Sequence, residues 1–301
     1  MLLAVLLLQA PDLLPPRPPL PGPTPAGTAA LRALEAACAD GLLEEAERRA
    51  WQPAPAAREE ALRRALEEGD AYLRRAATVL AAGCPGDGAL ARSLWGLALR
   101  ARDPAEALGA LLAPAEVPDA VLPALAAVAL DPRVSLDLRA AAAGRLLEAG
   151  VDGAWPLARS VLRTGTGLDE DAPWADWERT GRYELPKRLL LRSVRTWLGQ
   201  AGLEMPGVEP NAAWPVLEKQ LLRLEEAARR RRGALPPPAP GAAARRALRL
   251  LLEAARQGDG RAREALALLH PFSGELLRQA LASGDPLLGA AVQDILDRIP
   301  Q

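Results

Sequence analysis

Histidine, lysine, cysteine and aromatic residues are all scarce in this chain, and each shortage removes a class of function. His270 is the sole histidine and Cys38 and Cys84 are the sole cysteines, a spacing unlike any zinc-ligand pattern. His270 sits in LLHPFSG at an expected helix end, where a lone imidazole usually caps last-turn carbonyls. With no Cys or Ser partner it makes no triad. HExxH, CxxC and GxSxG do not occur. Gly83-x4-Gly88 begins like a phosphate-binding loop, but Ala89 and Leu90 stand where Lys and Ser/Thr are required, so it reads as a turn. No catalytic residue, no metal site and no cofactor are expected.

Strand-forming residues are also few: there is one Phe, and Ile and Val are rare. Ala, Leu, Glu and Arg take their place, and these favour helices. Half of the 301 residues are apolar and a quarter charged, the composition of a globular chain long enough for one large domain or two ordinary ones. The fold class that follows is all-α.

Lys187 and Lys219 are the only lysines, so nearly all positive charge is arginine. Guanidinium groups suit phosphate and carboxylate recognition. Here 37 basic residues meet 38 acidic ones, which leaves no whole-molecule field to draw in nucleic acid. Arginine with Ala, Gly and Pro reads instead as the mark of a GC-rich genome.

Long apolar runs are missing too. Leu2–Leu8 is far shorter than the roughly 20 apolar residues of a membrane span. Residues 1–10 have the length of a signal-peptide core, with Ala10 small and near a plausible cut, although no Lys or Arg precedes the run and Pro11 follows directly. A second plausible cut falls near Ala26. The expectation is an exported protein, periplasmic or extracellular, with no stable membrane span after processing. Residues 11–25 carry eight prolines, so 11–28 reads as an extended tether. Export would permit one disulfide between Cys38 and Cys84, worth roughly 4 kcal/mol on a chain-entropy basis; in the cytosol both are small core residues.

What fills the rest is a succession of short amphipathic helices. In 242–257, Ala244, Ala247, Leu248, Leu251, Leu252 and Ala255 form one stripe, while Arg245, Arg246, Arg249 and Arg256 take the other face. Leu288, Ala291, Val292, Ile295, Leu296 and Ile299 repeat the rule near the end. Asp103-Pro104, Asp131-Pro132 and Asp285-Pro286 each place an N-cap acceptor before a first-turn proline, and Glu106 completes a capping-box spacing with Asp103. Gly41, Gly150, Gly199 and Gly258 fall at expected helix ends.

Residues 119–163 carry a more specific pattern. Leu122, Pro123 and Leu125 are followed by Asp131 in a turn, then by Val134, Arg139, Ala142 and Ala143. This resembles a HEAT repeat followed by the first helix of the next, and SGDPLLGAAVQDILDRIP is similar to a second helix B that lacks the Arg. The resemblance implies an α-solenoid of stacked antiparallel hairpins whose concave face binds proteins. It divides the chain into a HEAT-like array at 29–232, a proline-rich linker at 233–241, and C-terminal hairpins at 242–301 that cap the array.

An acidic and aromatic connection, 164–182, interrupts the array. It leads into PWADWERTGRY, where Trp174, Trp177, Arg179, Arg182 and Tyr183 combine residue types common at interface hot spots. The competing reading is a plug in which a tryptophan anchors a long loop on a core of small residues. Asp169, Glu170 and Asp171 lack the alternating spacing of a calcium loop. Arg229–Arg232 lies in a basic region, 223–263, but no aromatic interleaves the arginines, so base stacking is not offered. The function that fits is a non-catalytic scaffold or protein-binding repeat protein. The alternatives are a nucleic-acid-binding solenoid using 223–263 and an enzyme with carboxylates in the groove.

Overall fold

The computed structural model describes residues 19–20, 22–38, 50–86, 88–101, 103–151, 153–158, 192–199, 202–204, 219, 222–228, 230, 239–270 and 272–299. Among them there are helices and turns and no strand. They fall into two compact units, Leu14–Pro118 and a second that runs from Asp119 onward.

In the first unit the described helices are α1 (Pro25–Ala37), α2 (Pro55–Glu68), α3 (Ala71–Leu80), α4 (Ala89–Arg100) and α5 (Pro104–Leu112). Ala61, Leu62, Ala65 and Leu66 are buried on α2, which packs against α1, α3 and α4. Side chains set the helix starts. Thr24 Oγ1 accepts from Gly27 N at 3.0 Å and Asp70 from Leu73 N at 2.8 Å, each satisfying an orphan donor. Glu60, inside α2, accepts from Thr24 N at 3.0 Å and Thr24 Oγ1 at 2.7 Å and so ties α2 to the start of α1. Gly27 makes room for this: a Cβ there would lie 2.2–2.5 Å from the Glu60 carboxylate.

Asp103 caps α5 as expected, accepting from Ala105 N at 3.0 Å. Its capping-box partner departs from the expectation. The Glu106 carboxylate turns away to Arg74 on α3 and joins the two helices instead.

The Gly83–Gly88 segment is a turn, with Gly83 at φ +80° donating to Ala113 O at 2.7 Å and Ala115 N donating to Cys84 O at 2.9 Å. Cys84 is thereby fixed beside the end of α5, and burial raises its thiol above the ordinary range. Cys38 is buried at the end of α1. Both are thiols and no bridge joins them. Titration of the unreduced protein in denaturant is expected to find two thiols per chain. A count near zero would restore the disulfide.

The second unit opens with a 3-10 turn, Asp119–Val121, and continues with α6 (Leu122–Leu130) and α7 (Leu136–Glu148). Further on come α8 (Ala242–Arg256), α9 (Gly260–Leu268), α10 (Gly274–Ala282) and α11 (Pro286–Asp297). Residues 154–158, 192–199 and 222–228 are also helical. Because α6 reads LPALAAVAL, with no polar face, it must be covered all round. Every residue from Leu122 to Ala129 is buried, and α7, α8 and α9 all pack on it. Two Schellman ends form where glycine was expected. Gly150 (φ +81°) lets Val151 N reach Leu146 O at 3.0 Å, and Gly258 (φ +94°) lets Asp259 N reach Ala254 O at 3.0 Å. Gly199 does not end its helix: it is still helical, and the left-handed residue is Gly202.

The stripe expected on α8 is buried throughout, while Arg245, Arg246, Arg249 and Arg256 are exposed. On α11, Ala291, Val292 and Ile295 are buried, and Leu288, Leu296 and Ile299 are half-buried. No described helix is long and apolar enough to cross a membrane, and residues 1–18 lie outside the described set.

Candidate functional site

Trp174, Trp177, Arg179, Arg182 and Tyr183 lie outside the described residues, as do Asp169, Glu170 and Asp171. The described helical stretches on either side of them are joined by another pair of tryptophans. Trp155 and Trp197 are each 1% exposed, and their rings stack with centroids 6.2 Å apart and planes 4° from parallel. The distance suits an offset stack. Glu148 reinforces the junction, accepting from Arg145 Nη1 at 2.5 Å and Ser193 Oγ at 2.9 Å.

Among the described residues Asp131 is the most enclosed carboxylate, its side chain 1% exposed. Expected as an N-cap, it instead follows α6, while α7 starts later with Ser135 at its N-cap. Asp131 Oδ1 accepts from Arg133 N at 3.0 Å, Arg133 Nε at 3.0 Å and Arg261 Nη1 at 3.0 Å. Oδ2 accepts from Arg133 Nη2 at 2.6 Å. Burial pushes its pKa up, but the Arg133 hydrogen bonds outweigh this and hold it below the ordinary carboxylate value. Beside it, Arg139 Nε donates to Ala129 O at 3.3 Å and closes the end of α6. Asp131 and Arg139 are thus fastenings between helices. Elsewhere, Asp294 of α11 accepts from Arg263 of α9 at 2.8 Å, and Arg75 pairs with Asp103 at 2.5 Å.

One cavity in the second unit has a different character. It holds about 490 Å³, within the range of ligand sites, and lies among α8, α10 and α11. Its floor is Leu248, Phe272, Leu277 and Leu296, and Leu281, 43% exposed, stands at its lip. Arg245, Arg249 and Arg278 line it, as does Glu275. Glu275 is already engaged by Arg278 at 2.6 Å and by Gln279 Nε2 at 2.9 Å. Arg245 Nη1 donates to Pro240 O at 2.9 Å.

His270 also lines the cavity. Its Nε2 lies 3.4 Å from where a Cβ on Gly274 would be, so the glycine lets the ring sit against the start of α10. Burial holds the imidazole below its ordinary pKa, hence neutral at physiological pH. Ser273 precedes α10 without capping it, because its Oγ donates to Leu266 O at 2.8 Å.

Sequence reasoning gave His270 a helix-end role and passed over Phe272. The available signal was their pairing: the sole histidine and the sole phenylalanine stand two residues apart. Among the described residues, no three His, Cys, Asp or Glu side chains converge to hold a metal ion. No family model, curated protein or solved structure matches the chain.

Proposed function

We propose that this protein is a non-catalytic, HEAT-like binding protein that receives a protein partner at the α8–α10–α11 cavity. The observation that carries the reading is the lining itself: an apolar floor that continues outward onto exposed Leu281, ringed by arginines. An enclosed small-molecule site would hide that leucine, whereas a polypeptide covers both floor and lip. The carboxylates described above support binding over catalysis. Asp131 and Asp294 are held by arginines whose hydrogen bonds keep the carboxyls below the ordinary carboxylate pKa and make them weak proton acceptors, while Glu148 and Glu106 are committed to ion pairs with Arg145 and Arg74. The buried HEAT-like positions Leu122, Leu125, Ala142 and Ala143 support the repeat assignment. The leader-like Leu2–Leu8 run supports a place of action outside the cytoplasm.

The test is selection of random peptides displayed with either terminus free, against the parent and against Leu281→Glu. Leu281 is exposed, so the substitution leaves stability within about 0.5 kcal/mol. Enrichment on the parent that disappears on the variant is expected. If no peptide is enriched, or the variant retains the same ones, the cavity is not a protein-binding site.

A further inference from the structure

The cavity's unengaged polar groups define what it takes. Arg249 has no hydrogen-bond or ion-pair partner among the described residues, unlike Arg245 and Arg278. The His270 side chain likewise has no hydrogen-bond partner there. Among the described residues the only acidic side chain lining the cavity, Glu275, is spoken for by Arg278 and Gln279. Donors are therefore in surplus above an apolar floor. The complement is an anion on an apolar body, and a guanidinium meets a carboxylate with charge-assisted, often bidentate, hydrogen bonds.

We propose that the cavity captures the C-terminal residue of a polypeptide, its carboxylate on Arg249 and His270 and its bulky apolar side chain on Phe272, Leu277 and Leu281. This rests on the protein-binding reading above and names the part of the partner that is held. A C-terminal residue carries carboxylate and side chain on one Cα, so head and body enter together. An internal Asp or Glu brings the charge without the apolar group and leaves the floor uncovered. A terminus also requires a cavity open on one side for the rest of the chain, which the exposed lip at Leu281 provides.

Fluorescence anisotropy of the full chain tests this. The probe is a pool of fluorescein-labelled hexapeptides, random except for a final Leu-Phe, prepared as free acids and as C-terminal amides. The free acid is expected to bind at least about tenfold tighter than the amide, the worth of one charge-assisted hydrogen bond. Arg249→Gln should abolish that difference, and Leu281→Glu should abolish binding. Both side chains are exposed, so both variants fold. Equal binding of acid and amide, both lost in Leu281→Glu, would overturn terminal capture while leaving the protein-binding reading intact. Failure of both peptide forms overturns terminal capture as well. If decanoate then binds saturably, the site belongs to a small amphiphile. The display selection decides the broader reading independently.

Discussion

Replacing Trp197 with Ala is expected to destabilise the second unit by about 3–5 kcal/mol, the usual cost of emptying a fully buried tryptophan site. The ring is 1% exposed and stacks on Trp155. Its neighbours in the helical stretch, Val194 and Leu198, are themselves buried, so little can collapse into the space. Trp155→Ala should cost a similar amount. The double variant should fall short of the sum by about 0.5–1.5 kcal/mol, the part carried by the aromatic pair itself. Urea unfolding with an unchanged m-value is the measurement. A loss below about 1 kcal/mol for Trp197→Ala would mean that these helical stretches are not fastened through the stack.

How much of this was legible in the sequence differs with the scale of the feature. The helical class was, because Ala, Leu, Glu and Arg leave no competing strand pattern, and the α8 stripe appears as six buried positions at the expected spacing. The glycines at 150 and 258 were legible for the same local reason: a left-handed residue after a helix has few alternatives to glycine. Asp131 was not. An Asp-Pro pair reads locally as an N-cap, and only the arrival of Arg261 from far along the chain makes it an interhelical fastening. Nor was the Trp155–Trp197 stack foreseen. Trp174 and Trp177 stand out because they are set among charges, whereas Trp155 follows Ala154 and Trp197 precedes Leu198, apolar neighbours ordinary for core positions. The cavity was hidden for a third reason. Leu248 belongs to a stripe that reads as core, and nothing local says that α10 and α11 leave space above it.

Asp131 also carries the second large effect expected. Asp131→Ala should cost about 2–3 kcal/mol, because a buried acceptor of charged donors is lost and Arg133 N is left without its partner. The figure sits below the 3–5 kcal/mol typical of breaking a buried ion pair, since the Arg133 and Arg261 side chains are 51% and 35% exposed and can rehydrate. Arg261→Ala should cost only about 1 kcal/mol, because Asp131 keeps its Arg133 bonds. The pH dependence separates charge from shape. The folded carboxyl has a pKa below its ordinary 3.8, so its stabilisation is fully present above that value and is lost as pH falls through the folded pKa. Asp131→Asn keeps the shape and removes the titration. The gap between parent and Asp131→Asn should therefore be constant from about pH 5 to 8 and shrink below about pH 4. Other arginine-held acids such as Asp294 weaken both proteins alike on that limb, so the gap reports Asp131 alone. A gap that stays constant down to pH 2, or widens, would show that the ionised carboxylate is not what fastens α9 beside the end of α6.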